Sequence, residues 1–266
     1  MFKDKIIWIT GASSGIGEAV AYEMARAGAC LILSARRKEE LERVKEACIK
    51  LGCLADDVLV LPLDVTDEVA LPKSVATAEA FKGHIDMLYN NAGISQRSLC
   101  IDTDMATYRR LFEVDVFGQI ALTKAVLPSM LKRGSGHLAI TASVAGKIGV
   151  KQRTGYCAAK HAMMGFFDAL RAEVSKYGIF VTTITPGYIR TAISENAITG
   201  DGKTFGKMDE NIKGGMEVNA CARVIMKGFQ AGKREIAVGE GKEMQALWLK
   251  RFMPNKLFKM VERLSA

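Results

Sequence analysis

In "GYCAAKHAMMGF", residues 155 to 166, a tyrosine stands one helical turn before a lysine. Tyr156 and Lys160 are four apart, and on a helix that spacing places them on one face within reach of each other. A free phenol loses its proton near pH 10, a poor match to neutral chemistry. An ammonium held beside it stabilises the phenolate and turns the pair into a tuned acid or base. The alternative is a surface pair with no task. Thirteen residues earlier, at the end of an apolar run, Ser143 carries a hydroxyl that can hydrogen-bond an oxygen on which charge develops. Its alternative is a strand-terminal serine satisfying backbone.

A second constellation lies near the N-terminus. "ITGASSGIGEAV" sets Gly11, Gly15 and Gly17 between an apolar run and a helical pattern. Glycines so placed allow a tight turn, close approach of backbone to a pyrophosphate, and tight packing of helix on strand. The helix N-terminus then offers free N–H groups to the anion. A bare glycine turn would read the same without this position between strand and helix. The next apolar run ends "SARRKEE". An acidic residue is usual there when the adenosine ribose keeps its 2′-OH, and an arginine accommodates a 2′-phosphate. Arg36 and Arg37 hold the place, so the sequence predicts NADP(H) over NAD(H), with Arg36 the main contact. Asp64, in "LDVTD", fits either an acceptor for the adenine amino group or a helix N-terminal acid.

These groups need a frame. Buried strands are expected at 5 to 10, 30 to 35, 58 to 65, 85 to 93, 137 to 143, 180 to 187 and 235 to 239, with amphipathic segments such as 17 to 28 and 108 to 134 between them. Such alternation predicts an α/β fold: a doubly wound (Rossmann) parallel seven-stranded sheet with helices on both faces, in a single domain. Residues 1 to 241 would form the dinucleotide-binding catalytic domain and 242 to 266 a basic tail. Only 190 to 220, polar and glycine-containing, breaks the rhythm; it follows a strand end, where ligands bind in open α/β sheets, and is read as the substrate loop.

Composition narrows the classes. The 266 residues, 49% hydrophobic, suit one globular domain. No uninterrupted apolar run reaches the roughly 18 residues of a membrane span, and the N-terminal run reads as a first strand, not a signal peptide. Six scattered cysteines and three distant histidines suit neither a disulfide framework nor a metal site, and point to a reducing, cytoplasmic setting. The net charge is +8, but residues 242 to 266 hold six Lys/Arg and two Glu, so the excess is partly in the tail. No basic segment is interleaved with aromatics as a nucleic-acid stacking platform would be.

Taken together, "TGASSGIG" (10 to 17), "DV" (64 and 65), "NNAG" (90 to 93), Ser143 in "ITAS", "YCAAK" (156 to 160) and "PGYIRT" (186 to 191) resemble the short-chain dehydrogenase/reductase family in its shorter single-domain branch. The resemblance covers residue 5 to about 240. It implies hydride transfer between a nicotinamide and a carbonyl or secondary alcohol, with Tyr156 as acid or base, Lys160 tuning it and holding the nicotinamide ribose, and Ser143 binding the substrate oxygen. It also implies cofactor contacts from Gly11, Ser13, Ser14, Gly15, Ile16, Gly17, Asp64, Val65, Asn91, Ala92 and Gly93. Pro186, Gly187, Ile189 and Thr191 would close over the carboxamide. A homodimer or homotetramer through helices at 104 to 131 and 154 to 177 is implied by the resemblance alone. A weaker similarity, in 196 to 210 and the tail, is to membrane-associated members acting on lipids, steroids or retinoids. His161 is turned about 100° from the Lys160 face and is not expected to take part.

One departure stands out. Where the family has asparagine in a "VNxxG" stretch, anchoring a water that links the lysine to solvent, this chain has "VDVFG", with Asp115. A carboxylate only accepts hydrogen bonds. Its charge favours the Lys160 ammonium and opposes a phenolate. Asp115 is therefore a catalytic-site candidate, and the reason to hold a weakly active, cofactor-binding regulatory or scaffold protein against the leading reading of a carbonyl reductase. A Rossmann-like methyltransferase is a third reading, disfavoured by the Ser–Tyr–Lys set. In the tail, Met244, Leu247, Trp248, Phe252, Leu257, Phe258, Val261 and Leu264 recur near helical spacing with Lys250, Arg251, Lys256, Lys259 and Arg263. This pattern suits an anionic membrane surface or a helix packed on the protein.

Overall fold

The computed structural model describes residues 1–263; Leu264 lies outside them. Among the described residues seven strands form one sheet: β1 (Ile6–Thr10), β2 (Cys30–Ser34), β3 (Val58–Val60), β4 (Met87–Asn90), β5 (Gly136–Thr141), β6 (Ile179–Pro186) and β7 (Glu235–Val238). The order is β3-β2-β1-β4-β5-β6-β7, every pair parallel. The helices are α1 (Gly15–Arg26), α2 (Lys38–Lys50), α3 (Leu71–Lys82), α4 (Met105–Phe112), α5 (Gly118–Arg133), α6 (Thr154–Val174), α7 (Glu210–Lys213), α8 (Val218–Gln230), α9 (Lys242–Phe252) and α10 (Pro254–Glu262).

All five residues of β1 are buried, as a sheet covered on both faces requires. Ile7 and Ile9 face one layer, with Met24 of α1, Val44 of α2 and Phe229 of α8. Ile6 and Trp8 face the other, with Val75 of α3, Val126 of α5 and Phe167 of α6. From β1 the chain winds outward to β3, then returns to β4 on the other side of β1. The crevice where the order reverses, at the strands' C-terminal ends, receives the glycine loop after β1 and "NNAG" after β4.

All seven expected strands are present, and β3 and β4 stop furthest short of their expected ends. β3 ends at Val60, although Leu61 and Leu63 still donate to Leu33 and Ala35; Pro62 between them is tolerated because its nitrogen faces the open side of this edge strand, where no ladder bond is needed. β4 ends at Asn90 because the next two amides, of Asn91 and Ala92, turn to the Thr10 hydroxyl at 3.0 and 3.1 Å. The long segment at 108 to 134 is also not one regular helix. A π-helical turn, Glu113–Phe117, joins α4 to α5. Such turns insert a residue into the helix, and they recur at functional sites. Gly118, just after it, fits against the Val65 carbonyl, where any side chain would collide.

The tail folds back on the body. Ala246 and Leu257 are buried against Val144 and Ile148, beside Ser143, whereas Trp248 and Phe252 remain 57% and 64% exposed. Residues 190–220 are largely irregular but tied down: Ile198 donates to Ser95 and accepts from Arg97 at 2.8 and 2.9 Å.

Candidate active site

A cleft of about 520 Å³ runs along the C-terminal edge of the sheet. It is lined by Ser143, Tyr156 and Lys160, and by all the expected cofactor residues except Gly17. Each part of its wall has a local cause.

Gly11 has φ +63°, and a Cβ there would lie 2.9 Å from the Ala92 backbone. Gly15 has φ +61°. Both positions need glycine's left-handed freedom. Gly17 packs instead of lining: a Cβ would collide with the Gly11 carbonyl and the Asn91 amide. No side chain caps the start of α1, which leaves its first-turn N–H groups for an anion. The cradle therefore fits a pyrophosphate. Arg36 and Arg37 are exposed at the cleft's end, and Arg37 Nη2 lies 3.4 Å from Ser13 Oγ. Asp64 Oδ1 accepts from the Thr66 amide and hydroxyl at 3.0 and 2.8 Å. Asn91 binds strand tips together: its amide donates to the Thr10 and Gly11 carbonyls at 3.2 and 3.3 Å, and its oxygen accepts from Thr141 at 3.0 Å.

Tyr156 and Lys160 lie one turn apart on α6, with Lys160 Nζ 5.6 Å from the centre of the phenol ring. Lys160 is only 4% exposed. Its ammonium donates to the Thr141 carbonyl at 3.2 Å and pairs with Asp115 Oδ2 at 3.2 Å. Asp115 is fully buried in the π turn, and its Oδ1 accepts from the Ile94 amide at 2.7 Å. Gly93 lies against this pair, with room for no side chain larger than a tight methyl. Burial works against the Lys160 ammonium, but Asp115 and Tyr156 outweigh it and hold the group above the ordinary lysine value. The Ser143 hydroxyl accepts from the Ala145 amide at 3.1 Å and faces the Pro186 carbonyl at 3.5 Å. It thus starts the turn Val144–Gly146 while also lining the cleft. His161 bonds the Cys157 carbonyl at 2.8 Å and does not line the cleft.

Several contributors carry no motif. Gln96, fully buried, accepts from the Gly155 and Tyr156 amides at 2.8 and 3.3 Å, capping the first turn of α6 and fixing Tyr156 from below. Gln119 donates to the Ala92 carbonyl. Arg97 and Arg153 line the cleft and meet Asp209 from the 190–220 loop. Glu243, from the tail, accepts from the Tyr188 amide at 3.3 Å. Only the position of Arg153, three residues before Tyr156, could have drawn attention in the sequence.

The arrangement can bind an extended dinucleotide along the strand ends, and it sets a phenol, an ammonium and a hydroxyl at one end of it. A family model for short chain dehydrogenases matches residues 5–224. The chain is 42% identical over 255 residues to Dehydrogenase/reductase SDR family member 7 of Homo sapiens, covering 94% of this chain and 75% of that protein. A short-chain dehydrogenase from Streptomyces avermitilis superposes with a TM-score of 0.83 at 29% identity, over 98% of this chain and 97% of that one. Levodione reductase does so with 0.81 at 28%, over 92% and 99%. Family model, relatives and fold agree: this chain belongs to the short-chain dehydrogenase/reductase family and is a NAD(P)-dependent oxidoreductase.

Proposed function

We propose that the chain is an NADP(H)-dependent carbonyl reductase, reversible as an alcohol dehydrogenase, acting on a lipophilic small molecule, with Ser143, Tyr156 and Lys160 as its catalytic residues. The observation that carries this is the placement of Tyr156 and Lys160 on one face of α6 in the same cleft as Ser143 and the glycine loop. When bound, the nicotinamide dinucleotide supplies or accepts the hydride. The chain's own groups manage the oxygen. Ser143 donates a hydrogen bond to the substrate oxygen, and Tyr156 gives it a proton as negative charge builds. The buried Lys160 ammonium then stabilises the phenolate. In the oxidative direction Tyr156 takes the proton back. Asp115 tempers this field, since its carboxylate pairs with the same ammonium at 3.2 Å.

Arg36 and Arg37 support NADP(H), because two exposed cations beside the glycine loop suit a 2′-phosphate and no carboxylate stands there for a 2′-OH. Val144, Ile148 and Val150 supply an apolar wall for the substrate, buttressed by the tail. The exposed aromatics of that tail, with Lys250, Arg251, Lys256 and Lys259 among them, suit peripheral contact with an anionic membrane on a cytoplasmic face. Exposed apolar residues on and before α4, Ile101 and Met105, suit a homo-oligomer.

NADPH oxidation with a panel of aliphatic and aromatic ketones and aldehydes tests the reading. The wild-type chain should reduce some of them. Tyr156→Phe should lose turnover yet still bind NADPH, read by cofactor fluorescence. A chain that binds NADPH but reduces no carbonyl and oxidises no alcohol would favour the regulatory or scaffold reading that Asp115 motivates.

A further inference from the structure

Arg97, Arg153 and Asp209 come from three distant stretches and meet where the 190–220 loop reaches the N-terminus of α6. Arg97 Nη2 and Arg153 Nη2 donate to the same oxygen, Asp209 Oδ2, at 3.0 and 2.8 Å. Arg97 Nη1 donates to Ser95 Oγ at 3.1 Å and to the Gln96 carbonyl at 2.8 Å. The other Asp209 oxygen accepts from the Asn211 amide at 2.9 Å. Both arginines line the cleft, yet they are only 6% and 9% exposed. Among the described residues Arg97 Nε has no hydrogen-bond partner.

Two guanidinium charges against one carboxylate leave a formal +1 shielded from water. A buried charge without its counter-charge is unfavourable, and a fold keeps one where something else completes it. Among the described residues the other carboxylates lining the cleft, Asp64 and Glu243, form no ion pair with either arginine, and both arginines pair with Asp209. Burial and the Arg153 charge press Arg97 below the ordinary arginine value. Burial works against the Asp209 carboxylate, but Arg153 and Arg97 outweigh it and hold it below the ordinary aspartate value. The backbone adds a sign of construction: Gln152, just before Arg153, has φ +60°, a left-handed conformation unfavourable for any residue with a side chain.

We infer that Arg97 and Arg153 form an anion-recognising subsite of the substrate cleft, and that the substrate is a lipophilic carbonyl compound bearing a carboxylate. The inference rests on the reductase reading above and names its substrate class. A carboxylate matches the planar donors of a guanidinium. Arg153 stands three residues before Tyr156, so an anchored carboxylate holds the rest of the molecule against the phenol. The apolar remainder lies on Val144, Ile148 and Val150. A site with a desolvated cation also discriminates against the neutral analogue, which leaves that cation unpaired.

The test compares two acid–ester pairs with NADPH: 4-acetylbenzoate and its methyl ester, and 9-oxodecanoate and its methyl ester. Wild type should prefer the acid in kcat/KM by about tenfold or more. Arg97→Met takes the cluster to zero charge and should lower the acid-to-ester ratio by about tenfold or more. Asp209→Asn leaves two unbalanced cations and should raise the ratio. Loss of packing moves both forms together, so opposed shifts are specific to a charge site. A second arm needs no turnover: calorimetry of benzoate and benzamide binding to the protein–NADP+ complex, where wild type should favour benzoate and Arg97→Met should not. Equal treatment of acid and ester in both pairs, or ratios that move the same way in the two variants, would overturn the subsite. If no carbonyl is reduced at all, the reductase reading fails by itself, and equal binding of benzoate and benzamide would then overturn the subsite separately.

Discussion

Replacing Asp115 with asparagine removes one charge at nearly constant size, and the structure says what that charge does. At 3.2 Å from Lys160 Nζ, and with an effective dielectric constant of about 20, the attraction amounts to about 5 kcal/mol. The variant no longer has to desolvate a carboxylate, which offsets part of that loss. Its oxygen can still accept from the Ile94 amide, so no backbone donor is orphaned. A net loss of about 2–3 kcal/mol remains, or about 4–5 °C in Tm for a chain of this size. The sign with pH follows from Lys160, whose folded value is raised. Its stabilising share is fully present below the unfolded lysine value near 10.5 and fades as pH rises through the higher folded value. The difference between wild type and Asp115→Asn, measured by urea unfolding, should therefore be flat from about pH 7 to 10 and narrow above that. Catalysis should move the other way. With the opposing carboxylate gone, the acid limb of the alcohol-oxidation rate profile should shift to lower pH by about one unit. Equal stability of the two proteins at pH 8 would refute the ion-pair argument, and an unmoved rate profile would refute the field argument.

Arg36→Asp should turn the ratio of kcat/KM for NADPH over NADH toward NADH by about tenfold or more, since a carboxylate repels a 2′-phosphate and accepts from a 2′-OH; a wild type that already prefers NADH would refute this. His137 has its pKa pushed down from 6.5 to about 4 by burial, with its ring against Phe229 and Nε2 on Thr182 Oγ1 at 2.9 Å. The unfolded state binds that proton first, so stability is intact above pH 6.5 and falls by about 3 kcal/mol toward pH 4; His137→Gln should lose that slope in pH-dependent denaturation. Leu257→Ala should cost about 2–3 kcal/mol, because Leu257 is 4% exposed against Val144 and Ile148. Trp248→Glu with Phe252→Glu should leave stability nearly unchanged but abolish sedimentation with phosphatidylserine vesicles; equal sedimentation would discard the membrane contact.

The sheet was legible because short apolar runs alternate with longer amphipathic segments, the pattern that a parallel sheet covered by helices on both faces produces. The strand ends were less legible. β4 ends where Asn91 and Ala92 turn to Thr10, a partner about eighty residues away that no local pattern signals. The π turn escaped a reading by helical period because it adds one residue without disturbing the apolar face, and it is this turn that carries Asp115 to Lys160. The glycine loop and the Tyr–Lys spacing could be read because their chemistry demands fixed local distances. Gln96, Arg97 and Asp209 could not. They are ordinary polar residues in the chain, and only tertiary packing brings them to the cleft.

The most direct measurement of the central claim is transfer of deuterium from NADPH deuterated at C4 to a carbonyl substrate, followed by mass spectrometry of the alcohol. The account predicts one deuterium on the former carbonyl carbon with wild type, and none with Tyr156→Phe despite retained cofactor binding. Alcohol formed without deuterium from either C4 position, or equal transfer by Tyr156→Phe, would contradict it.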